Sequence, residues 1–300
     1  MVYTLGESLL DIIISSIDDV VVRPGGAMLN AAVSLGRYDV EVSIITELGD
    51  DDTSELIISF LKKNNVVTDF VQVYNKNNTS LALAFFDNNK KPKYTFIKNY
   101  PDNRNFKAIP KFEEGDILLF GSLYSIDKQI RKSILSILNR ARKCKAIIIY
   151  DPNIRNAHHL SNHELMSAVH QNIKLSHIIK GSDEDFANIF GTTDNSVQIS
   201  EIRKINKEAF IIITLGADGV IADFQQHTIT LPAYSTKVIS TIGAGDAFNA
   251  GIIYALVQMK LQNSNFRSTL ADSVENILSS GLNFAAKVCN SIDNYIPLKV

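Results

Sequence analysis

A glycine-rich turn that runs into a helix is the part of this chain best suited to chemistry. Gly243 and Gly245 flank Ala244, and Asp246 follows at once, ahead of an apolar run with helical spacing. Such a turn points several backbone N–H groups and the positive end of the helix dipole at one spot. Phosphate oxygens bind well there, whereas a carboxylate beside them is better suited to taking a proton. The residues therefore predict phosphoryl transfer to a hydroxyl, with Asp246 as the base.

Glycine and aspartate also occur at helix starts for purely structural reasons, because aspartate complements the helix dipole. The turn lacks the third glycine of a dinucleotide-binding fingerprint, and the pattern GxxxxGK[ST] is absent from the sequence. These features argue against a Rossmann dehydrogenase and against a P-loop ATPase. The other polar segments of the chain are therefore needed to tell whether this turn has only a structural role or also a catalytic one.

The composition indicates a soluble protein with small-molecule partners. Thirty Lys and Arg stand against 32 Asp and Glu in 300 residues, and no block of five like charges suggests nucleic acid or a membrane surface. We expect Cys144 and Cys289 to be buried free thiols in a reducing compartment. Glu7 and Asp11 lie where a signal peptide would need a basic start and an apolar run, so we expect a cytoplasmic location.

Hydrophobic periodicity predicts the fold class. From residue 116 onward, continuously apolar strands alternate with helices, a pattern typical of a parallel sheet covered on both faces. We predict an α/β fold with a doubly wound, mostly parallel sheet, in a single domain over residues 1–300. β-rich stretches at about 12–22 and 66–98 predict a small sheet set apart from the main one.

Two polar loops follow predicted strands of the main sheet, where ligands bind in such folds. Asp151, Asn153 and Arg155 share one short turn, although its composition also suits an ordinary Asx turn. After the next strand, Ser182 and Asp185 fit the two positions of a capping box. The carboxylates of this acidic helix start are equally able to order the waters around Mg²⁺.

Small residues mark two further candidate binding segments, one after a predicted strand of the main sheet and one near the N-terminus. Thr214, Gly216 and Gly219 follow a predicted strand and let a nucleotide lie against the backbone, although a tight turn alone would explain them.

Near the N-terminus, the paired glycines Gly25 and Gly26 permit close approach of a ligand at the start of a predicted helix. Asn30 in that helix offers both a donor and an acceptor to a polyol, and Asp11 is able to accept from sugar hydroxyls.

Histidines in the second half of the chain suggest a metal site, because His159 and His163 are four residues apart. No carboxylate or cysteine completes a ligand set at a standard spacing, so we predict no protein-held metal there. The histidines concerned are His158, His159, His163 and His170.

Taken together, these segments resemble the ribokinase-like (PfkB) family of sugar kinases along nearly the whole chain. Residues 25–66, GGAMLNAAVSLGRYDVEVSIITELGDDDTSELIISFLKKNNV, are similar to the first signature of the family, and STIGAGDAFNAGIIYAL is similar to the second. The motifs DPNIR, KGSDEDF and TLGADGV lie between them in the order of the family. The DPNIR and KGSDED variants look most like the fructokinase branch.

The resemblance implies roles for the phosphate side of the site. Asp246 would take the proton from a primary hydroxyl of the sugar, and the backbone of Gly243, Ala244 and Gly245 would form the anion hole. Arg155 would clamp phosphate or substrate.

The resemblance also implies the sugar and nucleotide contacts. The expected sugar contacts are Asp11, Gly26 and Asn30, beside the candidates Gly25 and Asn153. Ser182 and Asp185 match the Asn-x-x-Glu motif, which organises Mg²⁺ and the ATP phosphates. The expected nucleotide contacts are Thr214, Gly216, Gly219 and Asn283. The β-rich stretches correspond to a lid that often also serves as a dimer clasp, so a homodimer is an expected assembly.

We therefore predict an ATP- and Mg²⁺-dependent kinase that converts D-fructose to fructose 6-phosphate. One alternative is a kinase for a nucleoside or for 2-keto-3-deoxygluconate, whose carboxylate Lys98 or Arg104 would meet. Another alternative is a catalytically silent sugar or nucleotide sensor on the same scaffold.

Three departures from the family pattern matter. Ser182 stands where the family usually has Asn, a substitution familiar in fructokinase-like members. Ser240 stands where the family usually has an Asp that helps to hold a monovalent cation, so only a weak response to K⁺ is expected. Lys98 stands in the lid strand where fructokinases often carry Arg.

Overall fold

The structure is a computed structural model, and it describes residues 1–86, 92–155, 163–225, 227–260, 270 and 272–298. The main sheet of this part of the chain has nine strands in the order β13 (His227–Leu231), β12 (Val220–Phe224), β11 (Phe210–Thr214), β10 (Ile178–Ser182), β9 (Ile147–Asp151), β8 (Ile117–Gly121), β1 (Val2–Leu5), β4 (Val42–Gly49) and β5 (Val66–Tyr74). The strands from β11 to β5 pair in parallel, and β12 and β13 add an antiparallel edge. The predicted mostly parallel sheet is confirmed.

Helices cover both faces of this sheet, as predicted. One apolar core lies under α1 (Ala27–Gly36), α2 (Asp52–Lys63), α7 (Ala244–Gln258) and α8 (Val274–Cys289). The opposite core lies under α3 (Arg131–Lys143), α4 (His163–Leu175), α5 (Asp183–Phe190) and α6 (Asn195–Ile205). Short 3-10 turns span Leu123–Ile126 and Gly216–Asp218.

The apolar periodicity of the sequence predicts a helix over Asp127–Lys143, but α3 begins only at Arg131. The Asp127 carboxylate accepts from the Gln129 backbone N–H at 3.0 Å and pairs with Arg104. These contacts hold Asp127 in a turn, and the helix begins at Arg131.

A second sheet has the order β3 (Asp19–Gly25), β2 (Leu9–Ser16), β6 (Leu81–Phe86) and β7 (Pro92–Ile97). β2 pairs in parallel with β6, whereas the other two pairs are antiparallel. This small sheet contains the predicted stretch 12–22 and the described residues of 81–97. Residues 87–91 lie outside the described part.

The prediction that the small sheet begins at residue 66 is wrong for Val66–Tyr74. This segment forms β5, which pairs in parallel along β4 from Val42 to Gly49 and closes one edge of the main sheet. Val66 is buried in the core under α1 and α2. Its β-branched composition suits either sheet, and the ladder with β4 decides the outcome.

Both cysteines are free and half-buried, less enclosed than expected. None of the helices in the described residues combines the length and the apolar character that crossing a bilayer requires. The carboxyl ends of β9 and β10 meet the first turns of α7 at one edge of the main sheet, which brings the polar loops together.

Candidate active site

The turn before α7 has the geometry that its glycines suggest. Gly243 is the N-cap residue and has a left-handed φ of 81°. A Cβ atom at this position would lie 2.0 Å from the Asn294 carbonyl oxygen, so both the φ value and the contact require glycine. The first N–H groups of α7 are therefore presented at a fixed place.

Asp246 lies in the first turn of α7 and is half-buried. Asn30 of α1 donates from Nδ2 to the Asp246 Oδ2 atom at 2.8 Å. Burial, and then the charge of Asp151, raise the pKa of Asp246 to about 7, whereas the Asn30 hydrogen bond, Lys180 and Arg155 act in the opposite direction. A carboxyl group with such a pKa is well suited to general-base catalysis near neutral pH.

A buried ion pair lies beside this turn. Lys180 of β10 donates from Nζ to the Asp151 Oδ2 atom at 3.0 Å, and Asn249 of α7 donates from Nδ2 to the same oxygen at 2.5 Å. The Lys180 and Asp151 side chains are only 4% and 3% exposed. The pair therefore ties the ends of β9 and β10 to the helix that carries Asp246.

The loop after β9 places Arg155 at the surface, with 60% of its side chain exposed. Arg155 donates from Nε to the Asn153 Oδ1 atom at 3.1 Å, and Asn153 has a left-handed φ of 44°. The guanidinium also lies 3.7 Å from Glu184 and 3.9 Å from Asp185. Arg155 is thus exposed at the start of α5, within reach of a ligand there.

The start of α5 forms the predicted capping box. The Ser182 hydroxyl accepts from the Asp185 backbone N–H at 3.0 Å, and the Asp185 Oδ2 atom accepts from the Ser182 backbone N–H at 2.8 Å. Asp185 Oδ1 is buried and has no hydrogen-bond partner among the described residues. This oxygen is an available acceptor for the water shell of Mg²⁺, so the residues fit that ion.

Among the predicted sugar contacts, Asn30 is hydrogen-bonded to Asp246, and Asp11 lies against Gly25. A Cβ atom on Gly25 would lie 1.9 Å from the Asp11 Oδ2 atom, so glycine allows the carboxylate to lie against the β3 backbone. Burial raises the pKa of Asp11 to about 6, and the charge of Arg23 opposes the shift. Gly26 is the N-cap residue of α1, which carries Asn30.

Three of the predicted nucleotide contacts, Thr214, Gly216 and Gly219, lie at or after the end of β11, and the fourth, Asn283, lies on α8. Thr214 ends β11 and donates to the Gly181 carbonyl oxygen at 3.4 Å, and Gly216 is exposed with open space around it. Gly219 packs against the Leu231 carbonyl oxygen, where a Cβ atom would lie at 2.0 Å, so the tight turn explains this glycine without a ligand. Asn283 is exposed on α8, without a hydrogen bond to these three among the described residues.

Of the histidines considered for a metal, His158 and His159 lie outside the described residues. His163 begins α4 and His170 is exposed on the same helix. In the described part of the chain, no three His, Cys, Asp or Glu side chains converge as a metal site.

Three residues of this site received no role from the sequence: Asp151, Lys180 and Asn249. A signal exists for two of them. Lys180 is a charge inside an otherwise apolar strand, and Asn249 follows Asp246 by three residues, which places both on one helix face. Their meeting with Asp151 depends on strand order, which the sequence does not display.

The arrangement can bind an anion and accept a proton at one place. Three groups lie together: the helix N–H groups of the turn, the half-buried Asp246 carboxyl and the buried Lys180 ammonium. Through its hydrogen bond to Asp246, Asn30 connects them to α1, which begins beside Gly25, where the Asp11 carboxylate lies. This geometry suits transfer of a phosphoryl group to a hydroxyl held near Asp11.

Comparison with known proteins agrees with this reading. The chain is 26% identical to the fructokinase of Vibrio alginolyticus over 258 residues, which cover 85% of this chain and 83% of that protein. A fructokinase from Vibrio cholerae O395, solved with fructose, ADP and calcium, superposes with a TM-score of 0.86 at 20% identity and covers 98% of this chain and 94% of that one. An aminoimidazole riboside kinase from Salmonella enterica, solved with aminoimidazole riboside and an ATP analogue, superposes with a TM-score of 0.84 at 21% identity. The match covers 97% of this chain and 94% of that one.

The family comparison covers almost the whole chain. Residues 6–299 match the family described as pfkB family carbohydrate kinase. The chain therefore belongs to the pfkB family of carbohydrate kinases, phosphotransferases that act on sugar hydroxyls.

Proposed function

We propose that this kinase phosphorylates D-fructose at a primary hydroxyl, with ATP as the donor and fructose 6-phosphate as the product. The observation that carries the proposal is the 2.8 Å hydrogen bond between Asn30 and Asp246. This bond joins the half-buried Asp246 carboxyl, at the anion-binding turn Gly243–Gly245, to α1. That helix begins beside the paired glycines Gly25 and Gly26, which are among the proposed sugar contacts. The similarity to fructokinases supports fructose as the acceptor.

The proposed reaction is a direct transfer. Asp246 accepts the proton of the sugar hydroxyl, and the resulting oxygen attacks the γ-phosphorus of ATP. The bond between that phosphorus and the bridging oxygen breaks, and its electron pair leaves on ADP. Backbone N–H groups of Gly243–Gly245 stabilise the charge on the transferring group.

The remaining residues position the nucleotide. Arg155 is exposed at the loop after β9 and would contact phosphate oxygens. Asp185 would hold the water shell of Mg²⁺, which neutralises phosphate charge when bound. Thr214, Gly216 and Asn283 would lie along the nucleotide.

An acidic sugar such as 2-keto-3-deoxygluconate is a weaker candidate. Arg104 is completely buried and donates to both carboxylate oxygens of Glu47, at 3.2 Å and 2.6 Å. Lys98 pairs with Glu7 at 2.8 Å. Both cations that we expected to meet a substrate carboxylate therefore already have carboxylate partners, which favours a neutral sugar.

Retention of both the base and the anion-binding turn argues against a silent sensor. A protein that only senses sugar has no need for a carboxyl of raised pKa at the start of α7.

The test is ADP release with purified protein, Mg²⁺-ATP and a panel of fructose, glucose, 2-keto-3-deoxygluconate, aminoimidazole riboside and adenosine. We expect the highest kcat/KM with fructose. Preference for the riboside by about tenfold or more, equal to ~1.4 kcal/mol, would replace fructose as the substrate. No turnover of any compound would favour the sensor.

A further inference from the structure

The ammonium group of Lys180 lies directly against the anion-binding turn. A Cβ atom built on Gly245 would be 3.2 Å from Lys180 Nζ. Beyond the neighbouring residues and the backbone of α7, no other described atom lies within 4 Å of that point, so the carboxylate of Asp151 is farther away. The positive charge therefore lies nearer to the turn than its negative partner does.

The hydrogen bonds of Lys180 leave capacity for a further acceptor. An ammonium group has three N–H donors, and Asp151 is its one hydrogen-bond acceptor among the described residues. The side chain is 4% exposed, so water is largely excluded from it. A phosphoryl oxygen bound at Gly245 would be a suitable second acceptor.

Stability alone does not explain this ion pair. Desolvation of two charges usually offsets their attraction, and apolar pairs of similar size are often as stable. Asp151 instead fixes the ammonium in place, because its Oδ2 atom also accepts from Asn249 on the helix that carries Asp246.

We propose that Lys180 is a catalytic residue whose ammonium group donates a hydrogen bond to the transferring phosphoryl group beside Gly245. Asp151 and Asn249 are positioning residues for it. Lys180 keeps its proton throughout: the sugar proton goes to Asp246, and the electron pair of the broken bond leaves on ADP. The inference rests on the proposed reaction and is independent of which sugar is the acceptor.

The test compares Lys180→Met with the double variant Asp151→Asn/Lys180→Met, which leaves no unpaired buried charge. Lys204→Met, which removes an exposed lysine on α6, is the matched control. For both Lys180 variants we expect kcat to fall about a hundredfold or more, the range seen when one donor to a developing anion is removed. The double variant should recover the parent melting temperature without recovering kcat.

Two readouts separate this role from others. Loss of the Lys180 charge also raises the pKa of Asp246, so an effect through the base alone would disappear at pH 9, where that carboxyl is ionised. We expect the loss to persist at pH 9. With sugar present, ADP alone should bind within about threefold of the parent, whereas the tighter binding of ADP with aluminium fluoride should be lost.

Recovery of kcat at pH 9, or a double variant within about threefold of the parent kcat, would overturn the proposal. If the double variant does not fold, Lys180→Arg and Lys180→Gln are compared at equal stability. Arginine keeps the charge and should be about tenfold more active, whereas equal activity would contradict the role. If the parent prefers a sugar other than fructose, only the substrate assignment fails, and the test is run with that sugar.

Discussion

At the scale of single residues, the proposed role of Asp246 as the base predicts that its pKa sets the pH dependence of the reaction. The free protein holds this pKa at about 7, mainly through burial. Below that pH the carboxyl is protonated and cannot accept the sugar proton, so kcat/KM should fall about tenfold per pH unit. A pH profile of kcat/KM at saturating ATP checks this. A profile that stays flat from pH 8 to pH 5 would contradict it.

The same shift affects stability with the opposite trend. The folded pKa is higher than the value of about 3.9 in an unfolded chain, so the folded state holds the proton more tightly between pH 4 and 7. The stabilisation from the protonated Asp246 carboxyl is fully present below pH 4, declines as the pH rises from 4 to 7, and is lost above pH 7. Asp246→Asn should therefore gain melting temperature relative to the parent at pH 8 and not at pH 4.

Gly245→Val should lower turnover more than sugar affinity. Gly245 has an ordinary helical φ, so the effect comes from crowding: the first added carbon would already be 3.2 Å from Lys180 Nζ. We expect kcat to fall about a hundredfold and the KM for sugar to change less than about threefold. Gly245→Ala is the milder control. Loss of sugar affinity with normal turnover at saturation would place the anion site elsewhere.

Ser240 predicts a weak response to K⁺. Its hydroxyl accepts from the Ile242 backbone N–H at 3.2 Å and carries no charge to hold a cation. We expect kcat/KM in K⁺ to exceed the value in a large inert cation by less than about tenfold at equal ionic strength. A larger increase would show that the cation site works without the family carboxylate.

At the scale of elements, the small sheet is suited to act as a lid. Asp11 shares one face of it with Phe96 and Tyr94, whose rings stack at 6.0 Å and 16° and are 54% and 40% exposed. These rings are placed to cover a sugar bound at Asp11, and closure would exclude water from the phosphoryl group.

Hydrogen exchange tests this closure. Amides of residues 12–22, 79–86 and 92–98 should exchange more slowly at saturating sugar, because the closed sheet is held against the main sheet. Amides of β9, buried in both states, serve as the internal control. Unchanged exchange in the small sheet would contradict a lid at these positions.

Several elements were predictable from periodicity, but the sheet to which β5 belongs was not. The apolar strands and capped helices of the main sheet follow from local pattern, as the capping box of α5 does. Whether β5 belongs to the main or the small sheet depends on its pairing with β4, which local composition does not encode.

At the scale of the whole molecule, long-range contacts limit prediction of the site. Asp246 and the glycine-rich turn before it form one local motif, which explains why the sequence indicates them. Lys180 and Asp151 meet only because β9 and β10 are neighbours. Arg104 was expected to meet a substrate, and its pairing with Glu47, 57 residues away, directs it into the core instead.

Asp246→Asn tests whether Asp246 is the base of this sugar kinase. The amide keeps the shape of the carboxyl but cannot accept the proton. In single-turnover assays with Mg²⁺-ATP and the best sugar, we expect phosphoryl transfer to slow by about 10²–10⁴-fold, with sugar affinity within about threefold of the parent. A variant that transfers phosphate at the parent rate would show that Asp246 is not the base.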